Sequence, residues 1–248
     1  MLPQTDIIET NGCKFILFKK NDIVSDSIRH TGGFEQALLK IANAILSECE
    51  DGVVLDIGAN LGVFTIPLAK TFPHIKFNAY EPQRVIYYQL CGNIIINSLH
   101  NVYAYEYAIS DREEEVEIQL PNYMTEGNIG AFSIDPEVRE KAYEASTKGE
   151  VEFMISTYLD ALNIENIRLI KIDVEGLEMA VIRGAVQTLT NNGYPPIMFE
   201  AWTHKEWFQP RRQELYKLLE DLGYEITKLG ENNLAQHNSK PKFNIEIN

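Results

Sequence analysis

Residues 53–69, VVLDIGANLGVFTIPLA, gather an acid, an amide side chain and two glycines into the pattern D-x-G-x-N-x-G. An apolar run, Val53 to Leu55, ends in Asp56, and Gly58-Ala59-Asn60-Leu61-Gly62 follows as a turn. Val63 to Ile66 then continue unbroken to Pro67, which suits the first turn of a helix. A strand, a tight turn and a helix start are the place where open α/β sheets present backbone amides to a small ligand. A dinucleotide site wants G-x-G-x-x-G. Here the acid inside the turn repels a pyrophosphate and suits a ligand carrying an ammonium group. Further acids close other apolar runs: Glu81 after KFNAY, Asp173 after RLIKI, and Glu200 at the end of PPIMFE. Such carboxylates can accept hydrogen bonds from vicinal hydroxyls or exchange a proton with a reacting group.

These residues need elements to hold them. Phe34–Cys49 has apolar residues at helical spacing (Phe34, Leu38, Ile41, Ala42, Ile45, Leu46), and Val53–Ile57 opens the main sheet. Strands are predicted at Lys76–Tyr80, Val102–Tyr107, Val116–Leu120, Val151–Ile155, Arg168–Ile172 and Pro196–Glu200. Helices are predicted at Val85–Asn97, Thr157–Leu162, Leu177–Leu189 and Gln213–Leu222. Residues 13–30 read as a short hairpin. Tyr224–Leu229 and Phe243–Ile247 are expected to pair around a polar loop, Gly230–Pro241. Alternating strands and helices from Val53 to Leu222 argue for a doubly wound, mostly parallel α/β sheet. The expected organisation is an N-terminal extension over residues 1–33 and one domain over 34–248, with an insertion at about 121–150. That insertion is too long for a routine connector and reads as a lid or binding loop.

The chain's 248 residues can bury a full core, with 45% hydrophobic and 23% charged residues. Its 22 basic and 36 acidic residues give a net charge of −14, which disfavours nucleic acid and anionic lipid as partners. Cys13, Cys49 and Cys91 are sparse and lack zinc spacing, as expected of reduced thiols in a cytoplasm-like compartment. No signal peptide or membrane span is evident.

In chain order, VVLDIGANLGVFT, YEPQ (80–83), YAISD (107–111), TYLDAL (157–162), IRLIKIDVEGLEMAVIRGA (167–185) and PPIMFE (195–200) resemble class I S-adenosylmethionine-dependent methyltransferases. More specifically, the series resembles the FkbM family, over roughly residues 30–230. The stretch K-I-D-V-E-G-x-E around Asp173 is its most specific part.

The resemblance implies a Rossmann-like seven-stranded sheet with a final antiparallel strand and helices on both faces. It also implies S-adenosylmethionine as cofactor. Gly58 and Gly62 would then let the backbone approach the methionine part, with Ala59 and Phe64 in the same binding turn. Asp56 and Asn60 would serve the ammonium and carboxylate. Glu81, before Pro82, would take the ribose hydroxyls, and Ala108 and Ile109 would line the adenine pocket, with Ser110 or Asp111 beside the adenine amino group. Asp173 would lie at the methyl group, where it could stabilise the sulfonium, orient the acceptor or take its proton. Glu175, Glu200 and His204 share that catalytic end, and the base is open among Asp173, Glu200 and His204. For Glu178, helix-dipole complementarity or an internal hydrogen bond is as good a reading as function. Asn128, Gly130, Ala131 and Ser133 of the insertion, together with Trp202 and Trp207, are candidates for the acceptor site. Asp173, Glu175, Glu200 and His204 could also ligate Mg²⁺, which is possible but not favoured for want of ligand spacing. The expected reaction is O-methylation of a small-molecule hydroxyl. N-methylation or RNA methylation on the same fold, and a non-catalytic cofactor-binding module, are the alternatives.

Overall fold

The computed structural model describes residues 3–20, 22–120, 129–130, 133–142 and 151–243. The chain opens with a hairpin, β1 (Thr5–Thr10) and β2 (Cys13–Phe18), followed by α1 (Ile23–Thr31) and α2 (Gln36–Leu46). The hairpin therefore lies earlier than the expected 13–30, whose second half is helical. Asp22 caps α1 by accepting from the Ser25 amide at 2.8 Å, and Val24 and Ile28, four apart, turn the same face inward.

The main sheet then alternates with helices: β3 (Val53–Ile57), α3 (Thr65–Thr71), β4 (Lys76–Tyr80), α4 (Arg84–Ile96) and β5 (Val102–Tyr105). A side sheet follows, built from β6 (Ala108–Ile109), β7 (Glu114–Gln119) and, after α5 (Pro136–Ala142), β8 (Val151–Thr157). The chain returns through α6 (Leu159–Leu162), β9 (Ile167–Ile172), α7 (Glu178–Arg183), α8 (Val186–Asn191) and β10 (Ile197–Glu200). It ends with α9 (Gln209–Asp221), β11 (Tyr224–Leu229) and β12 (Asn232–His237). Seven strands stand in the order β11-β12-β10-β9-β3-β4-β5. All run parallel except β12, which is antiparallel to both its neighbours.

Two regions differ from their sequence reading. The expected helix 177–189 breaks into α7 and α8 at Gly184, where a Cβ would lie 2.2 Å from the Ser110 carbonyl oxygen. The partner of β11 is β12, reached across a two-residue turn with Gly230 at φ 82°, and not Phe243–Ile247. Residues 244–248 lie outside the described residues. NNLAQH reads as a loop because it is polar, yet Asn233 is fully buried. Its carboxamide reaches the Phe199 and Glu231 carbonyls and accepts from the Tyr216 hydroxyl.

Alternate residues of the sheet feed two cores. Val54, Phe77, Leu169, Met198 and Leu234 pack with α2 and α3 on one face. Leu55, Ile57, Ile170, Ile172 and Phe199 pack with α7, α8 and α9 on the other. From β3 the chain proceeds outward through β4 and β5, and later returns to β3's other side with β9 and β10. That reversal makes the carboxyl ends of β3 and β9 a topological switch point, where such sheets open a crevice. Among the described residues, no helix is long and apolar enough to cross a membrane.

Candidate active site

A cleft of about 650 Å³, counting its open mouth, lies at this switch point. Gly58 and Asn60 after β3, Glu81 and Pro82 after β4, Ala108 and Ile109 after β5, and Asp173 and Glu175 after β9 all line it.

Glu81 organises one wall. It is buried, and its two carboxylate oxygens accept from the backbone amides of Asn60 and Gln83, each at 2.9 Å. Burial nonetheless raises its carboxyl to about 7, against the pull of those two amides. Each oxygen keeps a further lone pair for a ligand hydroxyl. The turn it braces is strained: Asn60 sits at φ 51°. Gly58 is glycine for an internal reason, because a Cβ there would stand 1.8 Å from the Asp173 carbonyl oxygen. Gly62, at φ 93°, would meet Ile66 and Leu90. Ala59, Gly62 and Phe64 are buried beneath the turn and do not line the cleft.

Asp56 is also sealed in. Its Oδ2 accepts from the Thr65 hydroxyl at 2.6 Å and its Oδ1 lies 3.5 Å from Lys171 Nζ. Asp56 and Lys171 are register partners on β3 and β9, which explains a lysine inside the apolar run RLIKI. Lys171 Nζ also reaches Asp173 Oδ2 at 3.2 Å and the Gly58 carbonyl at 3.3 Å. Desolvation would discharge this buried lysine, but the surrounding carboxylates hold it charged, above its ordinary value. Lys171 thus ties the first turn to Asp173, which faces the cleft.

Beyond Asp173 the chain turns back on itself, with Glu175 at φ 54° and Gly176 at φ 97°. Glu178 is buried, and its Oε1 accepts from the amides of Val174 and Gly176 at 3.3 and 3.1 Å. It braces the loop. Glu200 ends β10 and accepts from Trp202 Nε1 at 3.0 Å. Burial, then Asp173, Glu175, Glu178 and Glu35, push its carboxyl far above the ordinary range. Trp202 is buried with Trp207, Phe208 and Val138, so it orients Glu200 without lining the cleft. His204 is exposed, hydrogen-bonded to Glu231, and does not line the cleft. Among the described residues no group of His, Cys, Asp and Glu side chains has a metal-holding arrangement.

At the far end Tyr107 joins Ala108 and Ile109, at the end of a Tyr80–Tyr105–Tyr107 stack. Ser110 and Asp111 do not line the cleft; Asp111 lies 3.6 Å from Arg112. The end of the insertion closes over the turn. Gly130 lies against the Asn60 carboxamide, Ile129 accepts from Gln83 Nε2 at 3.2 Å, and Ile134 lines the cleft. Ser133 is buried and accepts from the Asp135 amide at 3.2 Å. Asn128 and Ala131 lie outside the described residues.

A family model, the Methyltransferase FkbM domain, matches residues 56–226. The chain belongs to the FkbM methyltransferase family. It is an S-adenosylmethionine-dependent methyltransferase. Methyltransferase sdnD of Sordaria araneosa is 27% identical over 207 residues, covering 71% of this chain and 74% of that one. The 2-O-methyltransferase NoeI of Sinorhizobium fredii is 26% identical over 167 residues, covering 63% and 67%. In fold, the chain is similar to Precorrin-6y C5,15-methyltransferase from Geobacter metallireducens, with a TM-score of 0.50 at 16% identity, covering 90% and 94%.

Three residues of this FkbM methyltransferase escape the sequence reading. Lys171 had a signal, since a lysine in a strand buried on both faces must be paired. Gln83 lines the cleft directly after the acid-proline pair and carries no signal of its own. Glu35 precedes the family-matched region and looks like an ordinary helix start, yet its charge acts on Lys171, Asp173 and Asp56.

Proposed function

We propose that this methyltransferase methylates a hydroxyl oxygen of a small-molecule acceptor such as a sugar or another secondary metabolite. The observation that carries the reading is that two acids, Asp173, fixed by Lys171, and Glu175, line the same cleft as Glu81. When bound, S-adenosylmethionine supplies an electrophilic methyl group on a positively charged sulfur. The residues present fit it: Glu81 has lone pairs to spare for a ribose diol, and Ala108, Ile109 and Tyr107 offer an apolar pocket. Asp173 presents negative charge at the opposite end. Much of the rate then comes from holding the reactants in place, and a carboxylate of this cluster takes the hydroxyl proton. The net charge of −14 and the relative named as a 2-O-methyltransferase support a small hydroxylic acceptor over RNA.

Calorimetric titration with S-adenosylhomocysteine tests the pocket. Wild-type protein is expected to bind, and Glu81→Ala to lose at least about tenfold in affinity, the equivalent of one charge-assisted hydrogen bond. Unchanged affinity in a folded Glu81→Ala protein would overturn the pocket assignment. A screen of sugars, phenols, amines and RNA with labelled methyl donor tests the acceptor class. Incorporation into amines or RNA and not into hydroxylic compounds would overturn it.

A further inference from the structure

Gln83 is buried and lines the cleft. Its side chain reaches the insertion, where Nε2 donates to the Ile129 carbonyl at 3.2 Å. The Ile129 side chain is fully buried with Phe18 of β2 and with Val85 and Ile86 of α4. Gly130 follows and lies on Asn60: a Cβ there would stand 2.2 Å from Asn60 Nδ2. The Asn60 carboxamide is itself tied down, because its Oδ1 accepts from the Leu61 amide at 2.7 Å. One carboxylate holds both residues that seat this segment, for Glu81 accepts from the backbone amides of Asn60 and Gln83. Phe18 is held in place as well. Gln89 and Asn93, four apart on α4, grip the backbone of Ile16. Asn93 Oδ1 accepts from its amide at 2.6 Å, and Gln89 Nε2 donates to its carbonyl at 2.5 Å. The hairpin, which precedes the family-matched region, thus helps to carry the end of the insertion.

Taking this cleft as the cofactor pocket, we propose that Gln83 is a positioning residue for the bound cofactor. With Asn60 it seats Ile129 and Gly130 as a roof, and the roof slows the cofactor's departure. Gly130 and Ile134 line the cleft from the insertion, while Gly58, Asn60 and Glu81 line it from the sheet. A ligand hydroxyl on Glu81 therefore meets a carboxylate that already holds the two residues seating the roof. The backbone and side chain of Gln83 have separable roles. Its backbone amide orients Glu81, and its carboxamide holds Ile129. Removing only the carboxamide donor deprives a buried carbonyl of its partner, which is costly. Docking of the roof weakens, while the Glu81 carboxylate keeps both of its amides.

Stopped-flow binding of S-adenosylhomocysteine to the full chain tests this without any acceptor. Gln83→Met keeps the backbone amide and the side chain's bulk but removes the donor. Its dissociation rate should rise about tenfold, the order of one buried hydrogen bond, with no fall in the association rate. The melting temperature of the ligand-free variant should stay within a few degrees of wild type. A merely structural role gives the opposite split: fewer competent molecules, slower apparent association and an unchanged dissociation rate. Gly130→Ala should also speed dissociation. The double variant should then be little faster than the faster single one, since both act through one roof. A wild-type dissociation rate in Gln83→Met overturns the inference, and so does a double variant in which the two effects multiply. Binding that Glu81→Ala loses while Gln83→Met leaves its kinetics unaltered removes this inference alone. Failure of the wild type to bind overturns the pocket assignment, and this inference falls with it.

Discussion

Lys171 is a single cation set among Asp56, Asp173 and the Gly58 carbonyl, and its removal tests how the site is held. Breaking a buried ion set by deleting one partner strands a charge and costs about 3–5 kcal/mol. Lys171→Met should lose that order of stability in urea unfolding. Adding Asp56→Asn should restore part of it, because the stranded carboxylate is gone and the two sites are in contact. A fully additive double variant would show that the pair does not couple. Glu35 is the hardest residue to foresee from the chain. Its buried carboxyl feels the charges of Lys171 and Asp173, which follow far later in the chain, and no local pattern encodes that meeting. Glu81 and Asp173 were legible as cleft-lining residues because each follows a buried parallel strand at the sheet's carboxyl edge.

Elements were readable where one apolar period dominated, as in β3, β4, β9 and α2. They failed where polar residues are satisfied at long range. Asn233 makes β12 look like a loop, and an Asp22 cap turns a stretch that alternates in sequence into α1. Glu178, at the start of α7, carries a prediction at this scale. Burial holds its folded-state carboxyl at about 7 against an ordinary 4.5. Between those values the folded state binds more protons than the unfolded one, so stability falls as pH rises. The contribution is full below 4.5 and is lost as pH climbs through about 7, a change of roughly 3 kcal/mol for a shift of this size. Glu178→Gln keeps an acceptor for the Val174 and Gly176 amides. Its melting temperature should fall less steeply with pH than the wild type's; an unchanged slope would sink the argument. In the β3–α3 turn, Gly58→Ala should abolish soluble expression or cofactor binding, since its Cβ would collide with backbone and not with a movable side chain.

Across the whole molecule, α5 is docked on α9 through Arg211, which pairs with Asp135 at 2.7 Å and with Glu137. Such partly exposed pairs contribute at most about 1 kcal/mol to global stability. Arg211→Ala should therefore leave the melting temperature within a few degrees of wild type, yet speed proteolytic cutting within residues 133–142; equal cutting rates would mean that apolar packing of Val138 holds the helix alone. The placing of β12 between β10 and β11 matters to the chain while it is being made. The ribosome releases β10 and β11 first; β10 can pair with β9, but its other edge and both edges of β11 stay open until Asn232–His237 emerge to stand between them. Until then β10, a strand of the finished interior, stands as an open edge that other chains can join. A stalled or shortened polypeptide that stops before residue 232 is therefore a template for aggregation, and a chaperone that shields the β10 edge would protect the nascent enzyme.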